Sequence, residues 1–83
     1  MYIHELDPKL VGRVIAQFRN KKGLSQEVVS GLASIGRSHL SAIERGERKP
    51  TLETFYRICI ALNVNMSVVI EALEEEIEKN KTI

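Results

Sequence analysis

The chain has 83 residues, with 12 Lys and Arg against 11 Asp and Glu, a net charge of +1 and one cysteine. That length holds one domain over residues 1–83 with one small core; it buries about 60% of its unfolded surface, so a stability on the order of 4–12 kcal/mol is expected and dimerisation would add to it. A lone Cys59 excludes an internal disulfide and a multi-thiolate metal site, no apolar run approaches the roughly 20 residues that span a bilayer, and MYIHELDP has neither the basic nor the apolar region of a secretory signal.

The near-zero net charge hides an asymmetry. Residues 9–50 carry nine Lys and Arg against three Glu, whereas residues 51–83 carry three against six. A basic body with an acidic C-terminal end fits a polyanion on one side only.

Five helices are predicted and no strand. Asp7 caps the first and Pro8 takes its first position, where no N–H is needed. Leu10, Val11, Val14, Ile15 and Phe18 form its apolar stripe, and Gly23 ends it. Ser25 caps the second helix, with Val29, Leu32 and Ala33 inward. After a break at Ser34-Ile35-Gly36, the third helix turns Leu40 and Ile43 inward and stops at Gly46. Pro50 and Thr51 open the fourth, which carries Leu52, Phe55, Ile58, Cys59 and Leu62. Asn63 ends it and Asn65 caps the fifth helix, residues 65–80, whose stripe is Met66, Val69, Ile70, Leu73 and Ile77 and whose Glu-rich end frays. Val28, Val29, Val68 and Val69 favour strands by propensity, but the stripes around them run at helical spacing. The core is expected within residues 8–70.

Residues 25–46 carry the functional signal. Ser30, Ala33 and Ser34 are small where two helices must cross closely, and Val29, Ile35, Leu40 and Ile43 lock that pair onto the core. The third helix then exposes Arg37, Ser38, His39, Ser41, Ala42 and Arg45, an arrangement suited to the major groove of DNA. Arg37 is the first choice for base readout, bonding O6 and N7 of guanine, with a phosphate contact or a solvated charge as the alternatives. Ser38 reads a neighbouring base weakly, Ala42 meets a thymine methyl or lets the helix sit deep, and Ser41 and His39 border base and phosphate. Arg45, Arg48 and Lys49 are expected along the DNA backbone.

VGRVIAQFR, LSQEVVSGLASIGRSHLSAIERGERKP and TLETFYRICIALNVN resemble, in that order, the Cro/phage-repressor-type helix-turn-helix domains, the XRE group. The most specific piece is Ser25-Gln26-Glu27 followed by Ser41 to Gly46 at fixed distance. The resemblance implies an all-α, compact five-helix, lambda-repressor-like domain acting as a transcriptional regulator. By the same resemblance Gln26 anchors a phosphate at the start of the second helix, and Arg19 pairs with Glu44 to hold two helices in register. Restriction–modification controllers and prophage regulators are the nearest types. Two positions depart from the pattern: Ser34 stands where a left-handed turn usually takes glycine, and Gly36 where the third helix usually has a capping hydroxyl. Gly31, inside the second helix, costs up to about 1 kcal/mol against alanine.

Nothing points to an enzyme or a cofactor. His4 and His39 lie in different segments, no HExxH or Gly-rich phosphate loop is present, and Glu74, Glu75 and Glu76 point in different directions on a helix. Cys59 reads as a core residue. The acidic polar face of the fifth helix argues against an anionic membrane. The expected partner is double-stranded DNA with a palindromic operator, half-sites about 34–36 Å apart, bound by a homodimer. Val68, Val69, Ala72 and Ile77 are the predicted seam, joined by Tyr2, Ile3 and Leu6. The competing readings are an antitoxin or adaptor that binds a protein through its acidic tail, and an inactive structural domain of the same fold. A cytoplasmic location follows from the first reading.

Overall fold

Helix starts and stops are written locally in this chain, and the computed structural model, which describes residues 4–81, follows them. Its elements are α1 (Pro8–Lys21), α2 (Gln26–Ala33), α3 (Arg37–Glu44), α4 (Leu52–Ala61) and α5 (Met66–Lys81), with no strand among the described residues. The Asp7 carboxylate accepts from the Lys9 N–H at 2.9 Å, the Ser25 hydroxyl from the Val28 N–H at 3.1 Å and the Thr51 hydroxyl from the Thr54 N–H at 3.0 Å. Each satisfies a donor that the first turn leaves unpaired.

The first four helices all end the same way. Gly23, Ser34, Gly46 and Asn63 take left-handed backbone, and the N–H of the next residue reaches back to the carbonyl of Arg19, Ser30, Ala42 or Cys59 at 2.9–3.2 Å. This closure folds the chain sharply away from the helix axis and satisfies its last carbonyls. At φ 56°, Ser34 accepts the conformation a glycine would take freely. The cost is on the order of 1 kcal/mol, and the tight α2–α3 turn is retained.

The core is a single cluster drawn from all five helices. Val29, Leu40, Ile43 and Ile58 have no exposure, and Val14, Ile15, Cys59, Leu62 and Val69 have almost none. α1 packs on α3 and α5, α2 on α3 and α4, and α4 on α5. Burial pushes the Cys59 thiol up to about 11, so it is a protonated core group.

Three residues predicted inward are not. Leu32 is 64% exposed, Leu52 75% and Ile70 41%. α2 buries Val29, Ser30 and Ala33, and Leu32 lies about 100° around the helix from the middle of that stripe. Leu52 occupies the exposed first turn of α4, at the rim of a groove it shares with Ile70 and Leu73 of α5, and Ile70 borders the Val69–Leu73 stripe rather than continuing it.

One packing determinant was missed. A Cβ on Gly12 would lie 2.2 Å from the Ile43 carbonyl oxygen and 2.6 Å from that of Glu44. The backbones of α1 and α3 therefore touch at this point, and only glycine fits. The sequence signal was a glycine inside an amphipathic helix, between Val11 and Val14.

Candidate nucleic-acid interface

α3 is amphipathic over only eight residues, and that decides what it offers to a partner. Leu40 and Ile43 are fully buried, so the opposite face is centred on exposed Ser38 with half-buried Ser41 and Ala42 beside it, and exposed Arg37 and half-buried His39 stand at its two margins. The predicted base-reading set spans about 200° around the helix, from Arg37 at one margin to His39 at the other. Gly36 stands at the N-cap in extended backbone and makes no side-chain cap bond, leaving the donors of the first turn open.

The C-terminal end of α3 is anchored by an ion pair. Arg19 Nε donates to Glu44 Oε2 at 2.7 Å and Nη2 to Oε1 at 2.9 Å, while Nη1 donates to the Leu24 carbonyl at 2.8 Å. The two side chains are 13% and 6% exposed, so solvent screens them little. The hydrogen bonds and charge of Glu44 raise the Arg19 pKa above its ordinary value against the opposing effect of burial. This pair, expected from the family resemblance, ties α1, the loop after it and α3 into one rigid unit.

Gln26 joins the same network. Its Nε2 donates to Glu44 Oε1 at 2.9 Å, which fixes the side chain at the start of α2 and leaves its second amide hydrogen uncommitted. A polar cleft of about 360 Å³ opens there, lined by Arg19, Ser25, Gln26, Glu27 and Arg37. Arg37 therefore stands at the junction between the first turns of α2 and α3, where backbone donors gather.

The three cations predicted to line a DNA backbone differ in state. Arg48 and Lys49 are exposed and make no ion pair among the described residues. Arg45 is turned onto its own molecule: Nε and Nη2 donate to the two oxygens of Glu47, each at 2.9 Å, and Nη1 donates to the Ser41 hydroxyl. Arg45 in turn holds the Glu47 carboxyl below the usual carboxylate range. The sequence reading had no means of pairing these two.

The predicted seam on α5 does not lie on one surface. Val69 is 2% exposed and belongs to the core, a correction to its assignment; Ala72 and Ile77 pack partly against that core, and of the four only Val68 stands exposed. Exposed apolar side chains instead gather at two places: Leu6, Leu52 and Ile70 flank a groove floored by Val11, Phe55 and Leu73, and Leu32, Tyr56 and Ile60 line a second hollow on α2 and α4. Tyr2 and Ile3 lie outside the described residues. No group of three or more His, Cys, Asp or Glu is placed to hold a metal, and no single helix is long and apolar enough to cross a membrane, among the described residues.

Comparison with known proteins agrees with this geometry. The helix-turn-helix family model matches residues 15–69. An uncharacterized HTH-type transcriptional regulator, y4dJ, of Sinorhizobium fredii is 39% identical over 67 residues, covering 81% of this chain and 87% of that one. The ImmF control region 10 kDa protein of Bacillus phage phi105 is 34% identical over 74 residues, covering 84% and 82%. Among solved structures, the wild-type restriction–modification controller protein C.Esp1396I superposes with a TM-score of 0.83 at 32% identity, over 92% of this chain and 99% of that one. With the α2–α3 unit in place and the match spanning most of its length, the chain belongs to the helix-turn-helix family, XRE type, of DNA-binding transcriptional regulators.

Proposed function

We propose that α3 docks in the major groove of an operator and that two copies of the chain, related by a twofold axis, read its two half-sites. The observation that carries this is the exposed Arg37–Ser38 end of α3, on a helix whose other face is locked in the core, with Arg48 and Lys49, beyond its far end, exposed and without an ion pair among the described residues. Arg37 and Ser38 read base edges, Ala42 faces the groove, and His39 and Ser41 border it. The second amide hydrogen of Gln26 and the first-turn N–H groups of α2 take a phosphate, while Arg48 and Lys49 follow the backbone. The protein acts as a cytoplasmic repressor or autoregulator without enzymatic activity. The names of the phage control protein and the restriction–modification controller support a locus of that kind.

Selection of bound duplexes from a random pool, followed by competition against unrelated DNA, tests the reading. Arg37→Ala is expected to relax preference at one base position, a loss of about 1–3 kcal/mol in discrimination. Arg48→Ala is expected to weaken all sequences alike and to reduce the log–log salt slope by about 0.9. If the two variants behave alike, the division between base and backbone contacts is wrong.

The groove bordered by Leu6, Leu52 and Ile70 supports the seam. Large exposed apolar side chains clustered on one face of a small domain are the surface a second copy would bury. Because Leu52 is 75% exposed, Leu52→Glu should leave the fold intact. It is expected to shift the chain to monomer in analytical ultracentrifugation and to weaken operator binding by at least about tenfold. An unchanged dimer would exclude this face.

A further inference from the structure

Residues two apart on a helix do not face each other, so Arg45 and Glu47 would not meet if α3 continued. Gly46 makes them meet. Its left-handed backbone, φ 78°, turns the chain, and the Glu47 N–H locks onto the Ala42 carbonyl at 2.9 Å. The Glu47 carboxylate then engages Arg45 through both oxygens, and the remaining edge of the guanidinium donates to the Ser41 hydroxyl one turn back on α3. Three donors of one arginine are thus committed within the molecule, on the flank that faces DNA in the docking described above.

We propose that Glu47 is a specificity-determining residue of the DNA interface: it holds Arg45 against Ser41, withholding one cation from the DNA backbone and biasing the Ser41 hydroxyl toward donation in the groove. The inference rests on the proposed docking of α3. Its physical basis is twofold. Arg45 cannot swing to a phosphate without stranding the Glu47 carboxylate beside a polyanion, which repels it. Ser41, already accepting from the Arg45 cation, keeps its hydrogen and only one of its two lone pairs, so it is biased toward base edges that accept, such as guanine N7 and O6 or thymine O4, and away from the cytosine amino group. Backbone cations raise affinity for every sequence, whereas a hydroxyl biased toward donation raises it for some. Glu47 therefore exchanges general affinity for discrimination.

The test uses the full chain, one duplex recovered by selection and one unrelated duplex of equal length. Binding is measured across a salt series for the wild type, Glu47→Gln, and Glu47→Gln combined with Arg45→Gln. Both positions are exposed, and thermal unfolding checks that each variant folds. Glu47→Gln is expected to strengthen binding to the unrelated duplex by about three- to tenfold, to steepen its log–log salt slope by about one, and to lower the selected-to-unrelated ratio several-fold. The double variant, which has the wild-type net charge, is expected to return the slope to the wild-type value. A Glu47→Gln slope equal to wild type, or a double variant less steep than wild type, would mean that Arg45 already contacts phosphate, and would overturn the inference. Failure of the wild type to select any duplex sinks the docking reading and this inference with it; successful selection with an unmoved Glu47→Gln slope sinks this inference alone.

Discussion

Gly12→Ala is expected to destabilise the protein by about 3 kcal/mol or more and to lower its unfolding midpoint by roughly 10 °C or more. On helix propensity alone the change should help, by up to about 1 kcal/mol. The new methyl, however, would sit 2.2 Å from the Ile43 carbonyl oxygen and 2.6 Å from that of Glu44. Neither is the end of a flexible side chain. Relief requires α1 and α3 to move apart by about 1 Å, which opens the most tightly packed part of the core. The same displacement would carry α3 off the position that the proposed docking requires, so DNA binding should fall further than the population of folded protein does. Gly31→Ala is the matched control, because its Cβ would meet nothing within 4 Å; it is expected to stabilise by about 0.5–1 kcal/mol. Denaturant unfolding of the two variants decides the matter, and a Gly12→Ala protein as stable as the wild type would show that the helices do not touch there.

Glu44→Ala is the second large effect, expected at about 3 kcal/mol. The carboxylate accepts from Arg19 Nε, Arg19 Nη2 and Gln26 Nε2, so its loss leaves a guanidinium only 13% exposed with one hydrogen bond, to the Leu24 carbonyl. An exposed pair would be worth little; this one is screened from water by the helices it joins. Arg19→Ala should cost a similar amount, and the double variant clearly less than the sum, because removing the second partner removes the stranded charge. A thermodynamic cycle from chemical denaturation measures that coupling. Strict additivity would mean that the two side chains do not depend on each other.

How much of this could be read in the sequence depended on the range of the physics involved. Asp7, Ser25 and Thr51 begin helices, and Gly23, Gly46 and Asn63 end them, through bonds to backbone only a few residues away, so the residue type at one position was enough. The stripes of α1 and α4 were legible for the same reason, apart from Leu52 at the very start of its helix. Ser34 was read as a departure from the pattern; in the structure it takes the left-handed turn itself at φ 56°. The Arg19–Glu44 pair was legible only through family resemblance, since nothing local in the chain joins positions 25 residues apart.

What remained hidden depended on a second element arriving at a site. The role of Gly12 exists only where α3 lies against it. Leu32 and Val69 are both apolar residues at helical spacing, and the layers packed around them leave one 64% exposed and the other 2%. Gln26 was expected only as a phosphate anchor, although Glu44 orients it, and Arg45 only as a cation for the DNA backbone, although the Gly46 turn delivers Glu47 to it.

The order of side chains along this chain thus determined five helices, their boundaries and the helix-turn-helix unit within them, because backbone capping and amphipathic spacing act over one or two turns. Only the packed molecule decided which apolar residues are left for a partner and which charges are left for phosphate. Those depend on distances between helices, and such distances exist only after the core has closed.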